Sequence, residues 1–309
     1  MIDIVEGLLP VFLIIALGVG LKQSGAVPAD MWVGFERIAY WVLFPALLIE
    51  TLVNANLRTA PVTGVAAALF LSAVTMCLIA WLAMPLFRRG LGLSAASYTS
   101  VFQASTRWNA FIALAVGDRL FGAEALTLVA VAMATMMPLL NAVNVTVVAT
   151  YVSEERPRPL ALVRTVAKNP FIWSCLVGLA INLSGVPIYG PVLTAANLLG
   201  GAALAGGLLL VGGGLMLRDA VKPSAAVLAS TAIKLVLMPL VVAGYALAFG
   251  LSGVALSTVL VCAAVPTAMS GYVLARQLGG DGPLLAAIVT VQTVAAAVTM
   301  PLVLALAGS

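Results

Sequence analysis

Histidine is missing from this chain altogether. That excludes a His-ligated metal site, a His general base and a His proton relay. Charge is scarce too: only 8% of the 309 residues are Asp, Glu, Lys or Arg. An ordinary soluble domain carries about 25%. Cysteine is limited to Cys77, Cys175 and Cys262, far apart and each within an apolar segment. They read as small buried hydrophobes rather than as disulfide or metal positions. No HExxH, GxSxG or paired intramembrane Asp motif occurs, so no enzyme constellation is visible. The glycine clusters Gly200-Gly201, Gly206-Gly207 and Gly212-Gly213-Gly214 follow no strand pattern and lack the GxxxxGK[ST] spacing. They fit close helix packing better than a phosphate loop.

What remains is apolar. Hydrophobic residues make up 63% of the chain, and the mean hydropathy is +1.16. No water-soluble domain could bury that much apolar surface, so the composition defines an all-α polytopic membrane protein with the lipid bilayer as its solvent. The isoelectric point near 9.1 does not call for nucleic acid, because basic residues collect on the cytoplasmic loops of membrane proteins. The N-terminus carries Asp3 and Glu6 where a cleaved signal would be positive, and no small-residue cleavage site follows Leu21. The first apolar segment is therefore expected to be a retained span.

Hydrophobic runs divided by charged or Gly/Pro-containing breaks give ten candidate spans: Ile4–Leu21, Met31–Val53, Pro61–Phe87, Ser94–Gly117, Glu124–Tyr151, Pro170–Leu183, Pro191–Leu217, Ser224–Gly250, Leu251–Gln277 and Gly282–Ala307. Lys22, Arg37, Arg88, Arg89, Arg156, Arg158, Arg164, Lys168, Arg218, Lys222 and Arg276 fall on the odd-numbered loops, and Arg58 and Arg119 on the even-numbered ones. The bias puts the odd loops in the cytoplasm and both termini outside it. Residues 1–152 then form a first five-helix unit, 153–168 a cytoplasmic loop, and 169–309 a second unit entering the membrane in the opposite sense. That is the topology of two inverted repeats.

Two cations fall deep inside spans, away from their ends. Arg107 lies thirteen residues into the fourth, roughly 20 Å at 1.5 Å per residue. Thr99, Gln103 and Arg107 recur every four residues and share a helical face. A polar stripe ending on a central cation suits a permeation path. The alternative is a structural arginine satisfied by carbonyls or by buried Asn and Gln. Intramembrane ionisable residues default to function. Lys234 lies ten residues into the eighth span. Two such cations without an obvious carboxylate leave room for an anionic ligand, although Lys234 could also be neutral or pair with Glu50. In the ninth span, Val265-Pro266-Thr267-Ala268-Met269-Ser270 contains a proline that should break the helix and free N–H groups for an anion. Asn141, Asn144, Gln292 and Thr293 are candidates to line the site or to couple an ion. Interhelical hydrogen bonding is their simpler role.

Several segments, in order along the chain, resemble the auxin efflux carrier family, particularly its short bacterial members labelled malonate transporters. They are Leu9-Pro10-Val11-Phe12, Ala16-Leu17-Gly18, Phe44-Pro45-Ala46-Leu47-Leu48, Arg107-Trp108-Asn109, Leu120-Phe121-Gly122, Lys168-Asn169-Pro170, Val265-Pro266-Thr267-Ala268, Tyr272-Val273-Leu274-Ala275 and Gly279-Gly280-Asp281. The resemblance implies ten transmembrane helices as two inverted five-helix repeats, related to bile-acid/sodium symporters. Helices 1, 2, 6 and 7 would form a scaffold. Helices 3–5 and 8–10 would form a transport domain in which helices 4 and 9 are broken and cross. Asn109 matches the polar residue at the first break and Pro266 the second. The plant-type pattern often has a proline a few residues after the asparagine; here Leu114-Ala115-Val116 follows.

The expected protein is thus a secondary transporter of small organic anions, mono- or dicarboxylates, working by alternating access in a bacterial inner membrane. Arg107, Asn109 and Gln103 would face Pro266, Thr267 and Ser270, with Lys234 as a second contact or coupling group. No cofactor is expected, and the coupling ion would be H+ or Na+. The alternatives are a sodium-coupled symporter of the bile-acid type and a sensor that binds the ligand without moving it. A homodimer through the scaffold helices is a candidate assembly.

Overall fold

A computed structural model describes residues 2–57, 60–152, 168–217, 222–306 and 308. Arg58, Arg156, Arg158, Arg164 and Arg218, on which part of the orientation reading rests, lie outside them, as does nearly all of the 153–168 loop. Among the described residues the chain is helical and contains no strand. Helices α1 (Ile2–Gln23), α2 (Ala29–Val53) and α3 (Val62–Gly90) are followed by α4 (Ala95–Thr106) and α5 (Ala110–Tyr151). Next come α6 (Pro170–Ser184), α7 (Gly190–Gly214), α8 (Ala225–Ala248), α9 (Gly253–Ala264), α10 (Ser270–Leu278) and α11 (Gly282–Leu306). By length and composition seven helical stretches could cross a membrane, counting residues 95–151 as one, and α6 and α9 are shorter apolar helices. The protein is therefore a multi-pass membrane protein.

Capping side chains mark where helices begin. Ser94 and Ser224 accept from Ser97 N and Val227 N, and Asn169 caps α6 ahead of Pro170 at its first turn. Within α5 the backbone turns at Gly122, with φ 67° and ψ −152°. Only glycine takes that conformation without strain, so a bend follows directly from residue type.

The glycine clusters of α7 are packing devices. A Cβ on Gly212 would collide with the carbonyl oxygen of Ile15, and one on Gly18 with that of Leu209, so α1 and α7 touch backbone to backbone. Gly207 receives the Phe44 ring, which stacks on Phe111 with centroids 4.2 Å apart. Helices α1, α2, α6 and α7 pack mainly on one another, through α1 on α7 and α2 on α6 and α7. Helix α5 packs on α3 and α9, and α4 packs on α10 and α11. Helix α4 is buried on all sides from Tyr98 to Thr106, although that stretch includes Thr99, Ser100, Gln103, Ser105 and Thr106. A helix this polar can be enclosed in a membrane protein only if its side chains find partners or line a site.

Candidate functional site

Two helix breaks meet at the centre of the molecule. The first interrupts the fourth apolar segment: α4 ends on Arg107, which is extended at φ −72° and ψ 160°, and α5 begins after Asn109. No proline is needed, because Asn109 supplies the cap. Its Oδ1 accepts from Phe111 N at 3.1 Å and Ile112 N at 3.2 Å. The second break follows Ala264, where Val265 is extended, and the chain becomes helical again at Ser270. The breaks touch directly, since Asn109 N donates to Pro266 O at 2.9 Å. The C-terminal ends of α4 and α9 and the N-terminal ends of α5 and α10 therefore converge, bringing negative and positive dipole ends together.

Gln292, on α11, joins these parts. Its Oε1 accepts from Thr267 N at 2.9 Å, and its Nε2 donates to Ala104 O at 3.3 Å and to Ser230 O at 3.4 Å. One side chain thus serves both breaks and α8. Thr293 turns back on its own helix, donating to Val289 O. Asn144 donates to Leu140 O and accepts from Thr106 Oγ1, tying α5 to the end of α4.

Arg107 is 8% exposed and donates from Nη1 to Asn141 Oδ1 at 3.0 Å, while its buried Nε has no partner. Gln103, one turn below, is fully buried with neither amide atom bonded. Thr267, at the other break, is also fully buried with its hydroxyl unpartnered. Gly271, in the first turn of α10, closes over the pair: a Cβ there would lie 3.4 Å from both Arg107 Cδ and Gln103 Oε1. Buried polar groups are ordinarily bonded, and a polar ligand would satisfy these unused donors and acceptors. Thr99, below Gln103, donates to Ala96 O and does not join them. Ser270 is exposed at the start of α10.

Lys234 is the residue expected as a second contact or coupling group. It is fully buried on the π-turn Ile233–Leu237 of α8 and donates to Ala263 O at 3.1 Å and Met238 Sδ at 2.8 Å. Its Nζ is directed at the C-terminal end of α9. Glu50 is not its partner, because Glu50 Oε1 accepts from Asn54 Nδ2 on the same helix. Near the ends of α10 and α11, Asp281 accepts from Ser97 Oγ at 2.8 Å and caps Leu284 N at 3.0 Å, which clamps that turn to α4.

Sequence reasoning missed Gly271 and Ser230. Gly271 had a visible signal, a glycine in the first turn after a proline break, where a small residue permits close approach. The Ser230 carbonyl carried none.

Seven apolar stretches define a multi-pass membrane protein in which two helix breaks meet. The family model described as "Membrane transport protein", that of the auxin efflux carrier family, matches residues 155–304, so the resemblance to that family is shown over the second half of the chain. The match takes in Lys234, Pro266, Thr267 and Gln292 but ends short of Gln103, Arg107 and Asn109. No curated protein matches the chain.

Proposed function

We propose that this protein is a secondary transporter of small organic anions, mono- or dicarboxylates, that binds them at the crossing of its two broken helices. The observation that carries this reading is the unused Arg107 Nε beside the unbonded amide of Gln103, under the first turn of α10. A guanidinium N–H is a charge-assisted donor for a carboxylate. The Gln103 amide offers a further donor and acceptor. The N-terminal turn of α10 adds a favourable dipole. Thr267 supplies a hydroxyl from the other break, and Asn109 holds that break in register. Lys234, engaged with Ala263 O, leaves Arg107 as the cation that meets the ligand.

The layout that suits this reading is ten spans in two inverted repeats. Helices α1, α2, α6 and α7 would serve as scaffold, and α3–α5 with α8–α11 as the moving body. The packing of α1 on α7 and of α2 on α6 and α7 supports that division, as does the clamp from Ser97 to Asp281 that ties α4 to the α10–α11 turn. Alternating access then amounts to displacement of the moving body, with the site inside it, against the scaffold.

Counterflow of labelled malonate in proteoliposomes tests the proposal. The intact protein should exchange it. Arg107→Ala should lose about tenfold or more of that flux, the loss expected for one charge-assisted hydrogen bond. Unchanged flux in the variant would remove Arg107 from the site. Binding without exchange by the intact protein would mean it senses the anion rather than moving it.

A further inference from the structure

We infer that Lys234 occupies, with its own ammonium, the place that a coupling cation would otherwise take at the buried end of α9, which frees transport from sodium. This rests on the transport reading above but concerns a different part of the crossing. The C-terminal end of a helix carries unpaired carbonyls and a partial negative charge. In α9 that end is entirely buried: Val261, Cys262, Ala263 and Ala264 are all 0% exposed. Unwound carbonyls and half-helix C-termini at such breaks are where transporters coordinate Na+. Here Lys234 Nζ reaches Ala263 O at 3.1 Å from the neighbouring helix and also donates to Met238 Sδ.

The helix carrying it is shaped for the purpose. Lys234 lies in the π-turn Ile233–Leu237, a wider turn inserted within α8. Such insertions commonly accompany functional positions. At the other break a carbonyl in the last turn of α4, Ala104 O, is served by the neutral amide of Gln292. The two ends are thus treated differently: a lysine from a neighbouring helix reaches the end of α9, and a neutral amide reaches that of α4. A lysine is suited to this because its amine is a compact point charge on a flexible stem.

The test uses the full-length protein with Lys234→Ala, which opens space for a small cation, and Lys234→Met, which keeps the volume without the charge. Flux and melting temperature are measured in choline, sodium and methylammonium salts. The intact protein should show the same flux in choline and sodium. Lys234→Ala should lose about tenfold or more of its flux in choline, as for one lost charged hydrogen bond. Sodium or methylammonium should restore it and raise the melting temperature, since a ligand bound to the folded state stabilises it. Lys234→Met should stay inactive in all three salts. Wild-type flux in Lys234→Met would overturn the inference, as would sodium dependence of the intact protein or a Lys234→Ala variant indifferent to every cation in both measurements. If the intact protein moves no carboxylate, the transport reading fails, and the melting-temperature arm still decides the role of Lys234.

Discussion

Gln103 has its amide enclosed at 0% exposure with neither atom bonded. An unsatisfied buried polar group costs about 1–3 kcal/mol, and an apolar residue of similar size would remove that cost. Gln103→Leu should therefore raise the melting temperature of the ligand-free protein while weakening carboxylate binding by about tenfold. A purely structural glutamine would give the reverse, a lower melting temperature with binding unchanged. Opposed changes of this kind are the usual mark of a functional site held at some expense to stability. The glutamine was legible in the sequence as part of the Thr99–Gln103–Arg107 stripe, because a four-residue spacing fixes a helical face. Its lack of partners was not legible, since that depends on the packing of Gly271 against it, 168 positions away. Arg107 was legible for its cost in a membrane. Lys234 was equally visible as a buried cation, but a backbone carbonyl leaves no residue-type signature, and its real partner, Ala263 O, was hidden for that reason.

At the scale of elements, the second break announces itself through Pro266, which removes a donor and cannot continue a helix. The first break has no such residue. It is held by the Asn109 cap, a feature worth about 1 kcal/mol, and by bonds from Asn109 N to Pro266 O and from Gln292 to Ala104 O. These are long-range contacts, so local sequence alone could not fix an interruption at Arg107–Asn109. Most apolar runs, by contrast, set the helical stretches nearly to their ends, because bilayer thickness fixes the length of a spanning helix, but the gap expected between the fourth and fifth spans falls inside α5, which only bends at Gly122. The proposed layout makes those stretches alternate across the membrane. With the native cysteines replaced, single cysteines at Ser184 and Ser252 should label with an impermeant maleimide from outside the cell. Cysteines at Ser24 and Leu91 should not. Labelling of position 24 together with 184 would break the ten-span arrangement.

For the molecule as a whole, the proposed function draws on two packing groups. Tight glycine contacts between α1 and α7 make one group stiff, since added Cβ atoms would meet backbone there. The Asp281 and Gln292 bonds hold the elements around the breaks together as the other. A ligand at the crossing would then be carried within the second group and exposed to alternate sides as the groups shift. The most direct measurement is an experimental structure of the full-length protein with a small dicarboxylate. The anion should lie within hydrogen-bond distance of Arg107 Nε and the Gln103 amide, beside the first turn of α10. An anion seated instead in the surface depression lined by Tyr272, Val273, Arg276 and Gln277, with Gln103 and Arg107 still unpartnered, would contradict the account.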